Sequence, residues 1–278
     1  MKSIIYLFSI LFFLFFSCKN NKRPIETNRF NFERDLLLLQ YDCKTDVDDL
    51  LSVAACATLL THPDYSKINY HAVAGTYGTQ EGLYVPSNEL FNLAFGDNWS
   101  DAHNDHNSAI ERVKNRVIAT LQNKGDVWIA EAGQSDFSSE IVKTIQADFP
   151  DNDFAKHFHI VQHSDWNEEV TSPEKLSFLK QNIDYQKIPD GNVPGNGTPG
   201  FRSMVKIDWK RKLKSPRLIE AWQVSTGLAN RYNGSEGRYL NEAIQAGGLD
   251  FSDFVEVWWI LSLPEIKDSQ HFFDLYAN

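Results

Sequence analysis

Cysteine is scarce: three in 278 residues, with Cys18 inside an N-terminal apolar run and only Cys43 and Cys56 beyond it. So few thiols exclude a fold built on a disulfide framework. Both later cysteines have apolar neighbours, as buried free thiols do. An excess of basic charge is also lacking. Lys and Arg number 27 against 37 Asp and Glu, for a net charge of −10. The basic stretches WKRKLKSPR and ERVKNR are short and flanked by acids, so they read as solvated faces, and a nucleic-acid partner is excluded. There is no paired CxxC, no glycine loop of the phosphate-cradling kind, no internal repeat and no low-complexity tract.

The longest apolar run, IIYLFSILFFLFF, is shorter than the roughly 20 residues needed to span a bilayer. With Lys2 before it and FFSC at its end it reads as a signal peptide over residues 1–17. FFSC resembles a lipobox, although Phe15 stands where leucine is commonest. Cys18 is then the expected lipidated N-terminus, residues 18–34 a tether, and 35–278 one domain. This places the domain at a bacterial cell envelope, at the outer membrane or cell surface, touching a membrane only through the lipid on Cys18. About 260 mature residues suffice for one large core.

What the chain does have is a concentration of aspartate. Asp42, Asp46, Asp48 and Asp49 follow the apolar run LLLLQY, and the chain then restarts as LLSVAACATLL. That order reads as a buried strand, a polar turn and a helix. In open α/β sheets ligands bind at this edge, outside the carboxyl ends of the strands. Asp46 as a helix cap with Asp49 completing a capping box would explain two of the acids but neither Asp42 nor Asp48. Close carboxylates raise one another's pKa unless a cation intervenes.

Strand-like and helix-like pieces alternate onward. Strands are expected at 36–41, 68–74, 126–133, 157–163 and, briefly, 184–189. Helices are expected at 50–60, 108–122, after Ser138, and after Ser172–Pro173. Residues 84–107 read as irregular, and the last third as helical with polar breaks. The fold class is α/β: a Rossmann-like, mostly parallel sheet flanked by helices, with strand ends near Asp42, Ala74, Glu131 and His163 on one edge.

On these residues the chain resembles the calcium-dependent nucleoside hydrolases that prefer inosine and uridine. The family opens with an aspartate motif whose first and last two acids match Asp42, Asp48 and Asp49. The resemblance implies a nucleoside-hydrolase-like fold, Asp48 as the base that activates water, and Asp49 as a calcium ligand. HAVAG ending in Thr76 is similar to the second strand and its turn. WIAEAGQSD is similar to the strand end whose backbone reaches the metal, near Asp136. LDFSDFVEVWWI is similar to the helix start that supplies the last calcium carboxylate, here Asp253.

The departures are specific. Where the family has a third aspartate, which binds calcium and ribose, this chain has Lys44; its proline–glycine pair is Thr45–Asp46, an asparagine is Thr76, and the histidine that helps the base depart is Ser252. Ser252 offers no strong acid, so an activated leaving group such as nitrophenol is expected to react faster than inosine. The Lys44 ammonium can lie among Asp48, Asp49 and Asp253 and replace calcium, or point away while Asp46 supplies the missing oxygen.

Other polar groups follow strands. Glu131, Gln134, Ser135 and Asp136 follow one; His163, Trp166 and Asn167 follow another, and a Trp beside Asn and His suits stacking on a sugar or base. Asn192, in the glycine-rich loop 190–200, is a candidate for a ribose hydroxyl. His103 and the run NDHN lack the spacing that would aim three metal ligands together. The candidate substrate contacts are therefore Asp42, Lys44, Thr76, Glu131, His163, Trp166, Asn167, Asn192 and Ser252. Two functions are open: hydrolysis of an N-ribosidic or other glycosidic bond with water activated by Asp48, or carbohydrate binding by the same fold. In either case the partner is a small nucleoside or carbohydrate.

Overall fold

The structure is a computed structural model that describes residues 29–150, 154–193 and 195–277. The expected signal peptide, Cys18 and most of the expected tether lie outside the described residues. Packing begins earlier than residue 35: Phe30 is in the core, and Arg29 donates to the Trp259 carbonyl at 2.9 Å.

In chain order the elements are β1 (Leu36–Tyr41), α1 (Asp48–Thr61), β2 (Asn69–Ala74), α2 (Asn88–Phe95), β3 (Trp99–Asp101), α3 (His106–Gln122), β4 (Val127–Glu131), α4 (Asp136–Asp148), β5 (Phe158–Gln162), α5 (Asp165–Glu169), α6 (Pro173–Asn182), β6 (Asp184–Lys187), β7 (Arg202–Ser203), α7 (Pro216–Tyr232), α8 (Glu242–Gln245), β8 (Leu249–Asp250), α9 (Val255–Ile260) and α10 (Ser269–Tyr276). Strands β1 to β6 form one sheet in the order β3-β2-β1-β4-β5-β6, every neighbouring pair parallel. This is a doubly wound order with its reversal point between β1 and β4. The four expected strand ends share one edge, and the architecture is consistent with a nucleoside-hydrolase-like fold.

Strand β1 shows why the sheet is covered on both faces. Every residue of LLLLQY is buried. Leu37, Leu39 and Tyr41 join one apolar layer while Leu36 and Leu38 join the other, as the two-residue period of a strand requires. The first layer is roofed by α1, α2, α7, α9 and α10, the second by α3, α4 and α6. Helix α1 is apolar nearly all round because it lies between the sheet and α7. At the centre of that layer Trp222 is fully buried, packs on Phe251 and Phe273, and donates to Thr58 Oγ1 at 2.9 Å.

Two expectations are corrected. The stretch 84–107 holds α2 and the edge strand β3. Helix α4 starts at Asp136 after Ser135, so Ser138 lies inside it, buried, with its hydroxyl directed to Gln40 Oε1 at 3.2 Å. The small β7–β8 ribbon was also unforeseen.

Removing the indole at the centre of the larger core leaves a cavity and takes away the donor to Thr58 Oγ1, whose own hydroxyl still donates to the Ala54 carbonyl at 2.8 Å. Trp222→Ala is expected to cost about 3–5 kcal/mol, measured by urea unfolding against the wild type.

Candidate functional site

At the carboxyl ends of β1, β4 and β5 lies a cavity of about 440 Å³. It is lined by Asp42, Lys44, Asp46, Asp48 and Asp49 from the β1–α1 turn, by His163, Trp166 and Asn167 after β5, by Asp190 and Asn192 after β6, and by Asp253 before α9. Arg202, Tyr239 and Asn241 close its far side.

The β1–α1 turn is shaped by unusual backbone. Cys43 and Thr45 take φ of +51° and +73°, a left-handed region that costs a non-glycine residue energy, most of all a β-branched one. The capping box does not form. Val47 occupies the cap position of α1, Asp46 accepts from the Val47 N–H at 2.6 Å, and Asp49 Oδ2 accepts from the Cys43 N–H at 2.6 Å. Asp42 is held from several sides: Oδ1 accepts from the Lys44 N–H at 2.7 Å, while Oδ2 accepts from Gln80 Nε2 at 3.1 Å and Gln134 Nε2 at 2.9 Å. Gln134 also donates to Asn167 Oδ1 at 3.0 Å, which ties the turn after β4 to that after β5. This close fit depends on Gly133, where an added Cβ would meet the Thr76 carbonyl at 2.6 Å and Asp42 Cβ at 3.0 Å.

Lys44 points away from Asp48, Asp49 and Asp253. Its Nζ donates to the Gln80 carbonyl at 2.7 Å and lies 4.4 Å from the Tyr77 ring centroid. The ammonium is thus committed to a carbonyl and an aromatic face, and it forms no ion pair with Asp48, Asp49 or Asp253. The carboxylates themselves sit high in pKa. Burial pushes Asp48, Asp49 and Asp253 well above the usual carboxylate range, and their mutual repulsion adds to it, with Asp46 and Asp250 also acting on Asp48. Burial raises Asp42 as well, tempered by its Gln134 and Lys44 donors. Burial pushes Asp46 up to about 6.

The calcium implied by the resemblance needs several oxygens turned to one point. Asp49 Oδ1 is buried without a partner, but both Asp42 oxygens are taken by protein donors. Asp136 is bound to Ser172 and Lys175. Among the described residues no three or more His, Cys, Asp or Glu are placed to hold a metal ion. The residues as arranged do not fit a preformed calcium cage.

Of the residues singled out from sequence, Asp42, Lys44, Asp48, Asp49, His163, Trp166, Asn167, Asn192 and Asp253 meet at the cavity. Four of the expected substrate contacts and metal ligands do not line it. Thr76 is buried behind it, its N–H bonded to the Tyr41 carbonyl at 3.1 Å and its carbonyl to the Gln134 N–H at 3.0 Å. Ser252 sits behind the wall and holds Asn192 Oδ1 at 3.1 Å. Asp136 braces the start of α6. Glu131 is wholly buried in the sheet, with neither carboxylate oxygen hydrogen-bonded.

Sequence reasoning missed Gln80, Asp190, Arg202, Tyr239, Asn241, Asp250 and Glu256. Asp250 and Glu256 lay inside the LDFSDFVEVWWI segment, where an acid on either side of Asp253 was a usable signal. Arg202 and Tyr239 carried none. Arg202 Nε pairs with the buried Asp250 at 3.3 Å, and Asn241 Nδ2 donates to the same carboxylate at 2.9 Å. Comparison with protein-family models, with curated proteins and with solved structures gives no match in any of the three. The parallel sheet and its strand-end cavity are compatible with a hydrolase of glycosidic bonds.

Burial pushes Glu131 from 4.5 to about 8, against the lowering effect of the nearby Ser135 and Ser138 hydroxyls. A carboxyl raised on folding keeps its proton while the unfolded chain releases one, so its stabilising contribution is complete below pH 4.5 and is lost as pH rises towards 8. Glu131→Gln removes that dependence. The variant is expected to match the wild type near pH 5 and to exceed it by about 2–4 kcal/mol at pH 8, measured by denaturant unfolding at both values.

Proposed function

We propose that this protein hydrolyses a glycosidic bond, and specifically an N-ribosidic one, with a water molecule activated by Asp48. The observation that carries the reading is the convergence of Asp42, Asp48, Asp49 and Asp253 on one strand-end cavity, although Asp253 is far from the others in sequence. A riboside placed there has its hydroxyls among carboxylates and amides that can accept and donate. Positive charge developing at the anomeric carbon is stabilised by the surrounding acids once these are ionised. Burial gives Asp48 a higher proton affinity, which makes its ionised form a stronger base towards water. The domain is proposed to act in the cell envelope, anchored by a lipid on Cys18.

A second reading is carbohydrate binding without turnover. It is favoured by Trp166 and Tyr239, which line the cavity yet are 43% and 51% exposed, as aromatic platforms for sugar faces are.

Asp48→Asn separates the two readings. An amide cannot accept the water's proton but has nearly the same size. The variant is expected to lose at least about 100-fold in kcat on nitrophenyl riboside with unchanged circular dichroism. Full activity in the variant removes Asp48 from the mechanism. No turnover of any riboside by the wild type, together with calorimetric binding of a free sugar, selects the binding reading.

Calcium is a separate question, because Lys44 stands where the resembling family has a ligand. Lys44→Asp changes the local charge by two units and is expected to bind calcium at least about tenfold more tightly than the wild type, by titration calorimetry. Equal, tight binding by both proteins would show that other oxygens suffice.

A further inference from the structure

We propose that His163, held by Glu256, is the acid that protonates the departing base, replacing from another strand the group missing at Ser252. This assignment rests on the hydrolase reading above. His163 follows β5 and is 2% exposed, yet it belongs to the cavity wall. Its Nδ1 lies 2.5 Å from Glu256 Oε1 on α9, and its backbone N–H is fixed by Gln162 Oε1 at 2.9 Å. With Nδ1 committed to a carboxylate, the ring presents Nε2 to the other side. There Nε2 has no hydrogen-bond partner among the described residues: the carboxylates Asp253 Oδ1 and Asp190 Oδ1 stand 3.8 and 3.9 Å away. A buried imidazole oriented by a buried carboxylate, with its second nitrogen unpartnered at a cavity, is the arrangement that proton transfer to a bound group requires.

The ring is set among charged groups. Glu256, Asp253 and Asp190 face it from α9, the segment before α9 and the loop after β6, and Lys187 on β6 opposes them. Burial alone would lower the pKa of His163. Glu256, by charge and hydrogen bond, and Asp190 outweigh it, and the net shift is upward. Glu256 Oε2 is buried without a partner, so this carboxylate has no other bound group among the described residues. Its role is positioning.

The C1′–N bond breaks and its electron pair passes to the leaving nitrogen, which takes the proton from Nε2. Water adds its oxygen to the anomeric carbon and gives its proton to Asp48. The protein ends with one proton moved from His163 to Asp48, and exchange with solvent restores it. An acid at 163 also revises the expectation drawn from Ser252: the wild type should cleave inosine without a large disadvantage against nitrophenyl riboside.

The experiment compares inosine with nitrophenyl riboside, which needs no acid. His163→Gln keeps a hydrogen-bond donor near Nε2 but has no transferable proton. It is expected to lose at least about 100-fold in kcat on inosine and less than about tenfold on nitrophenyl riboside. Glu256→Gln, which holds Nδ1 less firmly, is expected to lose at least about tenfold in kcat on inosine and little on nitrophenyl riboside, and it serves if His163→Gln does not fold. Equal losses on both substrates in these variants overturn the assignment while leaving the Asp48-dependent hydrolase intact. A wild type that cleaves neither riboside overturns both.

Discussion

The direction of the strands governs everything else in this protein. Because β1 runs parallel to both neighbours, pairing Leu36 with Asn69 on one side and with Val127 on the other, the turns after β1, β2 and β4 leave the sheet on one edge. Each must satisfy its own backbone there without a ladder to continue. They do so through one another: Gly75 and Thr76 N–H groups bond to the Tyr41 carbonyl, Ala132 N–H to the Gln40 carbonyl, and Gln134 N–H to the Thr76 carbonyl. The polar groups of the site are by-products of that requirement, presented at the reversal point of the strand order, where an α/β sheet has its natural crevice.

On this frame the chain places a set of carboxylates whose burial is unfavourable in isolation. Desolvation is the largest influence on Asp42, Asp48, Asp49, Asp250 and Asp253. Protein donors answer only part of it, through Gln80 and Gln134 for Asp42 and through Asn241 and Arg202 for Asp250. The lysine and the arginine that line the cavity are both occupied: Lys44 by a carbonyl and a tyrosine face, Arg202 by Asp250. An arrangement that unfavourable to folding is the kind retained where a ligand completes it.

The long, wholly buried strands were legible because a parallel sheet covered on both faces writes itself as continuous apolar runs, as at Leu36–Tyr41. The aspartate turn was legible for the complementary reason that four acids in eight residues have few structural uses. Strand β3 was not, since three residues at a sheet edge leave no period to detect, although Gly96 closing α2 was a visible stop signal. The start of α4 was displaced from Ser138 to Ser135 by packing, which local sequence does not carry. The direction of Lys44 was decided by Tyr77 and Gln80, more than thirty residues away. Glu131 misled because a glutamate at a strand end looks solvent-facing, whereas both faces of this sheet are covered and either direction buries it. Glu256 became meaningful only when folding set it against His163.

Two thiols described above give the molecule an internal clock. Cys43 lies in the strained turn itself, and Cys56 sits at the middle of α1, its Sγ accepting from the Tyr41 hydroxyl at 2.9 Å. Both are fully covered, and burial pushes the Cys56 thiol up to about 12. Alkylating reagents react with thiolate, so neither can be modified until its cover opens. Cys43 answers to excursions of the β1–α1 turn, Cys56 to departure of α1 from the sheet. The difference between their labelling rates is therefore a direct measure of how far motion of the β1–α1 turn is uncoupled from unfolding of the domain.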